Sequence, residues 1–187
     1  VQLGAGPRIM LIGDSITDGK FADNLFGYRQ QLYEKLHNNG YNVDFVGYFG
    51  EEPYEGHFQG GKKIDDFYPT ALGGRGRTDC SQAMHNFQPN IVAIHLGTND
   101  LNSETGSPIA PYGSGTNFEN TQAGEMATLV NYLLRWHNGT YSNQLDKILV
   151  SLIIPIKYRD EMLIEFNAQV ARLVRDFQTG QVTGQPE

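Results

Sequence analysis

The sequence predicts an α/β fold in which a parallel sheet is covered by helices on both faces. Three observations carry this. Short apolar runs alternate along the chain with segments of helical periodicity, the pattern of successive βαβ units. The runs are too short to be buried helices. The polar turns Gly13-Asp14-Ser15 and Gly97-Thr98-Asn99-Asp100 each follow one such run, and parallel sheets gather ligands at the carboxyl ends of their strands.

Arg8 to Ile12 (RIMLI) is the first run and reads as a buried strand. From Leu25 to Leu36 the apolar residues Leu25, Tyr28, Leu32 and Leu36 recur at helical spacing, with Asn38-Asn39-Gly40 as the stop. Val43 to Val46 is the second strand. Residues 49–72 have no period and read as a long loop, of the kind that tends to be functional. A short helix begins near Thr78 or Asp79, either of which is a suitable cap, and ends by Pro89. Ile91 to Leu96 is the third strand, and residues 102–120 form a second long loop. The next helix runs from about Gln122 to Trp136, with Met126, Leu129, Val130, Leu133 and Leu134 on one face. Ile148 to Ile154 is the fourth strand. Residues 160–177 give the last helix, striped by Met162, Leu163, Phe166, Val170, Leu173, Val174 and Phe177, and a polar tail follows.

The 187 residues suit a single domain, and 39% hydrophobic content supplies a core. A net charge of -7 argues against nucleic acid or an acidic membrane as partner. Cys80 is the only cysteine, which excludes an internal disulfide. No apolar run approaches the ~20 residues that span a bilayer. Val-Gln-Leu-Gly at the start lacks the basic and apolar regions of a signal peptide, and a chain starting at Val fits a processed secreted protein or a trimmed one. Asn138-Gly139-Thr140 is the sole N-glycosylation triplet.

Ser15 stands where a strand turns into a helix. A serine there can present its hydroxyl and its backbone N–H to one space, which acyl transfer needs for attack and for the oxyanion. The alternative is that Ser15 or Thr17 caps the helix that follows. Gly76, in Gly73-Gly74-Arg75-Gly76-Arg77-Thr78, lets a backbone N–H approach a ligand, or it is a turn; neither phosphate-loop pattern is present. Asn99 can donate its amide to an oxyanion, or it forms an Asx-turn with Asp100. Metal-ligand spacings such as HExxH are absent, and Cys80 at a helix start reads as a buried structural thiol.

GDSIT at 13–17, the glycine before Arg77-Thr78, and GTND at 97–100 resemble the first three blocks of the SGNH (GDSL-type) hydrolases, in order. The resemblance runs from Arg8 to the last helix. It implies a flavodoxin-like three-layer sandwich with strand order 2-1-3-4-(5). It implies Ser15 as nucleophile, and an oxyanion hole made by the N–H groups of Ser15 and Gly76 and the side chain of Asn99. Asp14 and Asp100 are expected to contact substrate. Tyr41 to Gly47 (YNVDFVG), after a helix carrying Arg29 and Leu32, is most similar to the family-3 carbohydrate esterases, including acetylxylan esterases. That implies secretion and O-acetyl groups of a plant polysaccharide as substrate, with no cofactor. Tyr54, Phe58, Phe67, Tyr68, Tyr112 and Phe118 in the long loops either line a sugar platform or pack the loops down.

The fourth block of that family, Asp-x-x-His after a fifth strand, is absent from this sequence. Of the five histidines, His37 and His137 are expected to face solvent, His95 to lie satisfied within the third strand, and His85 on the short helix. His57 is the one substitute base considered. Without a base Ser15 is a poor nucleophile, and losing that histidine costs on the order of 10⁶ in turnover. The expectations are a C-terminally incomplete chain, a second chain or segment that completes the sheet, or a non-catalytic carbohydrate-binding or scaffold protein on the same fold. The first two predict an exposed edge on the fourth strand and an uncovered apolar helix face.

Overall fold

The computed structural model of the chain describes residues 6–103, 122–138, 145–156 and 160–180. Tyr112, Phe118 and most of the sequon lie outside these residues, as does the end of the chain. Successive residues of the first strand, β1 (Arg8–Gly13), face opposite sides, so an unbroken apolar run needs cover on both. Met10 and Ile12 point into the larger core, with Val92, Ile94 and Leu96 beside them. Ile9 and Leu11 point to the other face, onto Phe45, Leu32 and Leu36.

The strands are β2 (Asp44–Phe45), β3 (His57–Phe58), β4 (Ile91–His95) and β5 (Lys147–Val150). The main sheet is parallel in the order β2-β1-β4-β5, which is the expected 2-1-3-4. The helices are α1 (Ser15–Asp18), α2 (Tyr28–Asn38), α3 (Ser81–Phe87), α4 (Thr98–Ser103), α5 (Gln122–Asn138) and α6 (Asp160–Thr179). The larger face is filled by Met84 from α3, Met126, Leu129 and Leu133 from α5, and Phe166, Val170 and Leu173 from α6. The smaller face is closed by α2.

Three expectations need correction. The second helix starts at Tyr28 and not at Leu25, because Leu25 has φ 61° and Asn24 Oδ1 accepts from the amides of Phe26 and Gly27, closing a turn. The segment 49–72 is not a plain loop. It returns to the sheet at β3, pairing Ile12 with His57 and Gly13 with Phe58, and then winds through 3-10 turns at Ile64–Phe67 and Thr70–Leu72. The fourth predicted strand ends at Val150, short of Ile154.

Arg29 of α2 is buried and ties these parts together. Its Nε donates to Thr17 O at 2.7 Å, Nη2 to Asp18 O at 2.9 Å and Nη1 to Tyr54 O, while the guanidinium lies 4.1 Å from the centre of the Phe58 ring. At the far edge, β5 pairs with β4 alone among the described residues, and Leu149, Leu152, Ile154 and Ile164 are 51–68% exposed. Among the described residues no helix is long and apolar enough to cross a membrane.

Candidate active site

The nucleophile turn is built by its own residues. Asp14 Oδ1 accepts from the Ile16 amide at 2.9 Å and caps α1, so neither Ser15 nor Thr17 is the cap. Thr17 is buried, with its hydroxyl 3.0 Å from Tyr28 Oη. Ser15 is half-buried, and its hydroxyl makes no hydrogen bond to a described residue. It is left for something else to use.

The segment 59–64 faces this turn. Gln59 N donates to Gly13 O at 3.1 Å, continuing the pairing of β3 with β1. At Gly60 a Cβ would lie 3.7 Å from Ser15 Cβ and 3.6 Å from Asp18 Oδ2, so the bare backbone runs against the serine. Asn99 Nδ2 donates to Lys62 O at 2.9 Å, and Ile64 N donates to Asp100 Oδ1 at 3.2 Å. One short segment therefore touches Ser15 at one end and holds Asn99 at the other.

Gly76 is placed differently. The space at its Cβ position is bounded by Thr70 and Pro69, and its φ of 59° is the left-handed region that favours glycine. Its neighbours are spent on the 3-10 turn: Arg75 N bonds Asp65 O and Thr78 N bonds Asp66 O. Gly60 was missed because it sits in the aperiodic segment; its signal was a glycine pair, Gly60-Gly61, ahead of a charged turn.

Asp14 and Asp100 do not meet the expectation that they contact substrate. They are 0% and 2% exposed and are occupied as a cap and as an anchor for Ile64. Burial pushes the Asp14 carboxyl up, against the bond from Ile16 and the nearby His95. Burial likewise raises Asp100 and, on α5, Glu125, where the negative charge of Asp100 adds to the rise. Nothing in the sequence signalled Glu125.

His57 is not a base for Ser15. It is buried in β3, its Nε2 lies 3.0 Å from Thr78 O, and its ring meets Tyr48, Phe49 and Phe67; burial holds its pKa down. His95 ends β4 opposite Gly13, 6.2 Å from the Tyr28 ring, and its buried Nδ1 finds no partner among the described residues, so it is not fully satisfied. No described histidine hydrogen-bonds Ser15. Cys80 is fully buried, donates to Phe67 O, and has its thiol pushed up by burial, which makes it inert. The described residues hold no group of three or more His, Cys, Asp or Glu suited to a metal.

The family model for GDSL-like lipases and acylhydrolases matches residues 9–183. The chain belongs to this family of carboxylic ester hydrolases. Solved structures with the same fold include a Clostridium thermocellum family 3 carbohydrate esterase, 19% identical over 93% of this chain and 73% of that chain, with a TM-score of 0.63. An acetyl xylan esterase, AlAXEase, is 18% identical over 91% of this acylhydrolase and 74% of its own length, with a TM-score of 0.61. An acetylxylan esterase from Geobacillus stearothermophilus is 18% identical over 96% and 76%, with a TM-score of 0.54. No curated protein sequence matches significantly.

Proposed function

We propose that this acylhydrolase removes O-acetyl groups from a polysaccharide through an acyl-Ser15 intermediate. The observation that supports the site is the segment 59–64, which packs Gly60 against Ser15 and orients Asn99 through Lys62. Ser15 Oγ attacks the ester carbonyl carbon and gives its proton to a base. The carbonyl oxygen becomes an oxyanion, and the sugar alkoxide leaves with a proton; water then releases acetate and restores the serine. The oxyanion is received by the N–H groups of Ser15 and Gly60, with Gly60 in place of Gly76, and by Asn99 Nδ2. An amide nitrogen has two protons, so Asn99 can keep one on Lys62 O and aim the other at substrate.

The acetyl substrate is favoured by the likeness to acetylxylan esterases, and it carries secretion with it, since such polysaccharides lie outside the cell. The base comes from outside the described residues, and the open edge of β5 with its exposed Leu149 is where a further strand, from another segment or a second chain, would bring it.

The test is labelling by a serine-directed fluorophosphonate, read by intact mass. One adduct is expected on the wild type and none on Ser15→Ala. A wild type that takes no label yet binds acetylated xylan would replace this reading with a carbohydrate-binding role.

A further inference from the structure

The loop that joins α1 to α2, residues 19–27, is rooted on the nucleophile turn at both ends. Gly19 N donates to Ser15 O at 3.0 Å, and at Gly27 a Cβ would lie 3.0 Å from Ile16 O and from Gly19 Cα. Between those ends Ala22 N donates to Gly19 O and Leu25 N to Ala22 O, both at 2.9 Å. The Asn24 side chain accepts from the amides of Phe26 and Gly27 and donates to Gly27 O. Because β1 runs into α1, the loop stands at the carboxyl end of the sheet, where parallel sheets receive ligands.

This loop displays two large apolar side chains: Phe21 is 89% and Leu25 65% exposed. Leu25 also holds φ 61°, a left-handed conformation that costs a leucine free energy, and the three bonds of Asn24 bracket it there. An isolated exposed leucine needs no explanation. A strained one, presented by an over-determined turn beside a nucleophile, does. The loop aromatics weighed as a sugar platform are engaged elsewhere: Phe58, Phe67 and Tyr68 are buried, and Tyr54 packs on Phe26 and Tyr33. Tyr41 is exposed too, but it precedes β2 at the opposite end of the sheet.

We propose that Phe21 and Leu25 form a platform for a sugar ring of the polysaccharide, on the alcohol side of the ester. This rests on the deacetylase reading, in which the acyl group ends at one methyl, so whatever reaches past Ser15 to the loop is sugar. A sugar ring offers a C–H face to a flat aromatic one. The exposed Lys20 and Asp23 flank the pair with polar partners for its hydroxyls.

The experiment is affinity electrophoresis through gels cast with acetylated xylan, in a Ser15→Ala background so that no acetate is lost. Phe21→Ala should weaken retention by on the order of tenfold, the effect of truncating an anchor in a binding surface, and Phe21→Trp should restore it. Leu25→Gly should weaken retention with its Tm little changed, because glycine takes positive φ without strain. If Leu25→Gly fails to fold, Phe21→Ala decides alone, since so exposed a ring can be truncated without touching the core.

Retention unchanged in Phe21→Ala overturns the platform and leaves the deacetylase reading standing. Slower labelling of Phe21→Ala by a long-alkyl fluorophosphonate, with Ser15 present and xylan retention intact, would assign the patch to an apolar acyl chain and also overturn it. A parent that xylan does not retain, though Ser15 takes the label, sinks the platform and the polysaccharide substrate together. Retention that depends on Phe21 in a protein whose Ser15 takes no label would uphold the platform and strike the esterase chemistry alone.

Discussion

The nucleophile turn and the segment that faces it are specified in different ways. In the turn, Asp14 reaches Ile16 two residues on, and Asp18 N reaches Asp14 O at 2.9 Å, so the bonds that cap it are local, while Arg29 and Gln59 buttress it from farther along the chain. In segment 59–64 the bonds that place Lys62 and Ile64 cross 37 and 36 residues of chain. One half of the site forms wherever its own sequence forms a strand end. The other half exists only when β1, β3 and β4 are assembled.

Substitutions can break this contrast, beginning with the largest effect. Asn99→Ala removes the donor that the distant segment orients, and labelling by fluorophosphonate should fall by about 10²–10³ with little loss of stability. A fall below tenfold would deny Asn99 the role. Next come the two glycines. Gly60→Ala leaves ordinary van der Waals room, so thermal stability should hold while labelling slows, because the new methyl crowds Ser15. Gly76→Ala should do the reverse, costing about 1 kcal/mol for a side chain at positive φ and leaving labelling unchanged. The opposite outcome would return the oxyanion role to Gly76.

Asp14→Ala tests the local half. Loss of the cap should cost about 1–2 kcal/mol in denaturant unfolding, and no change would show that the turn is held from elsewhere. The smallest effect is on pH. Asp100 and Glu125 have carboxyls raised above their unfolded values, so the folded protein binds more protons than the unfolded chain. Stability is then full below the unfolded carboxyl range and is lost as pH rises through the folded values. Unfolding at about pH 5 and pH 9 should show the decline, and Glu125→Gln should flatten it. Stability that climbs over that interval would contradict the raised carboxyls.

The sequence by itself determined the order of the four main strands and of the longer helices, the place of Ser15 at the end of β1, the stripes of α5 and α6, and the inert burial of Cys80. These depend on apolar spacing and on neighbours a few residues away. Tertiary structure alone decided that Gly60 and not Gly76 lies against the serine, that Asp14 and Asp100 are buried, and that His57 serves the core. Each of those outcomes depends on which distant segments the sheet brings together. Hydrogen-bond partners and burial across such contacts have no period along the chain, so no local pattern encodes them.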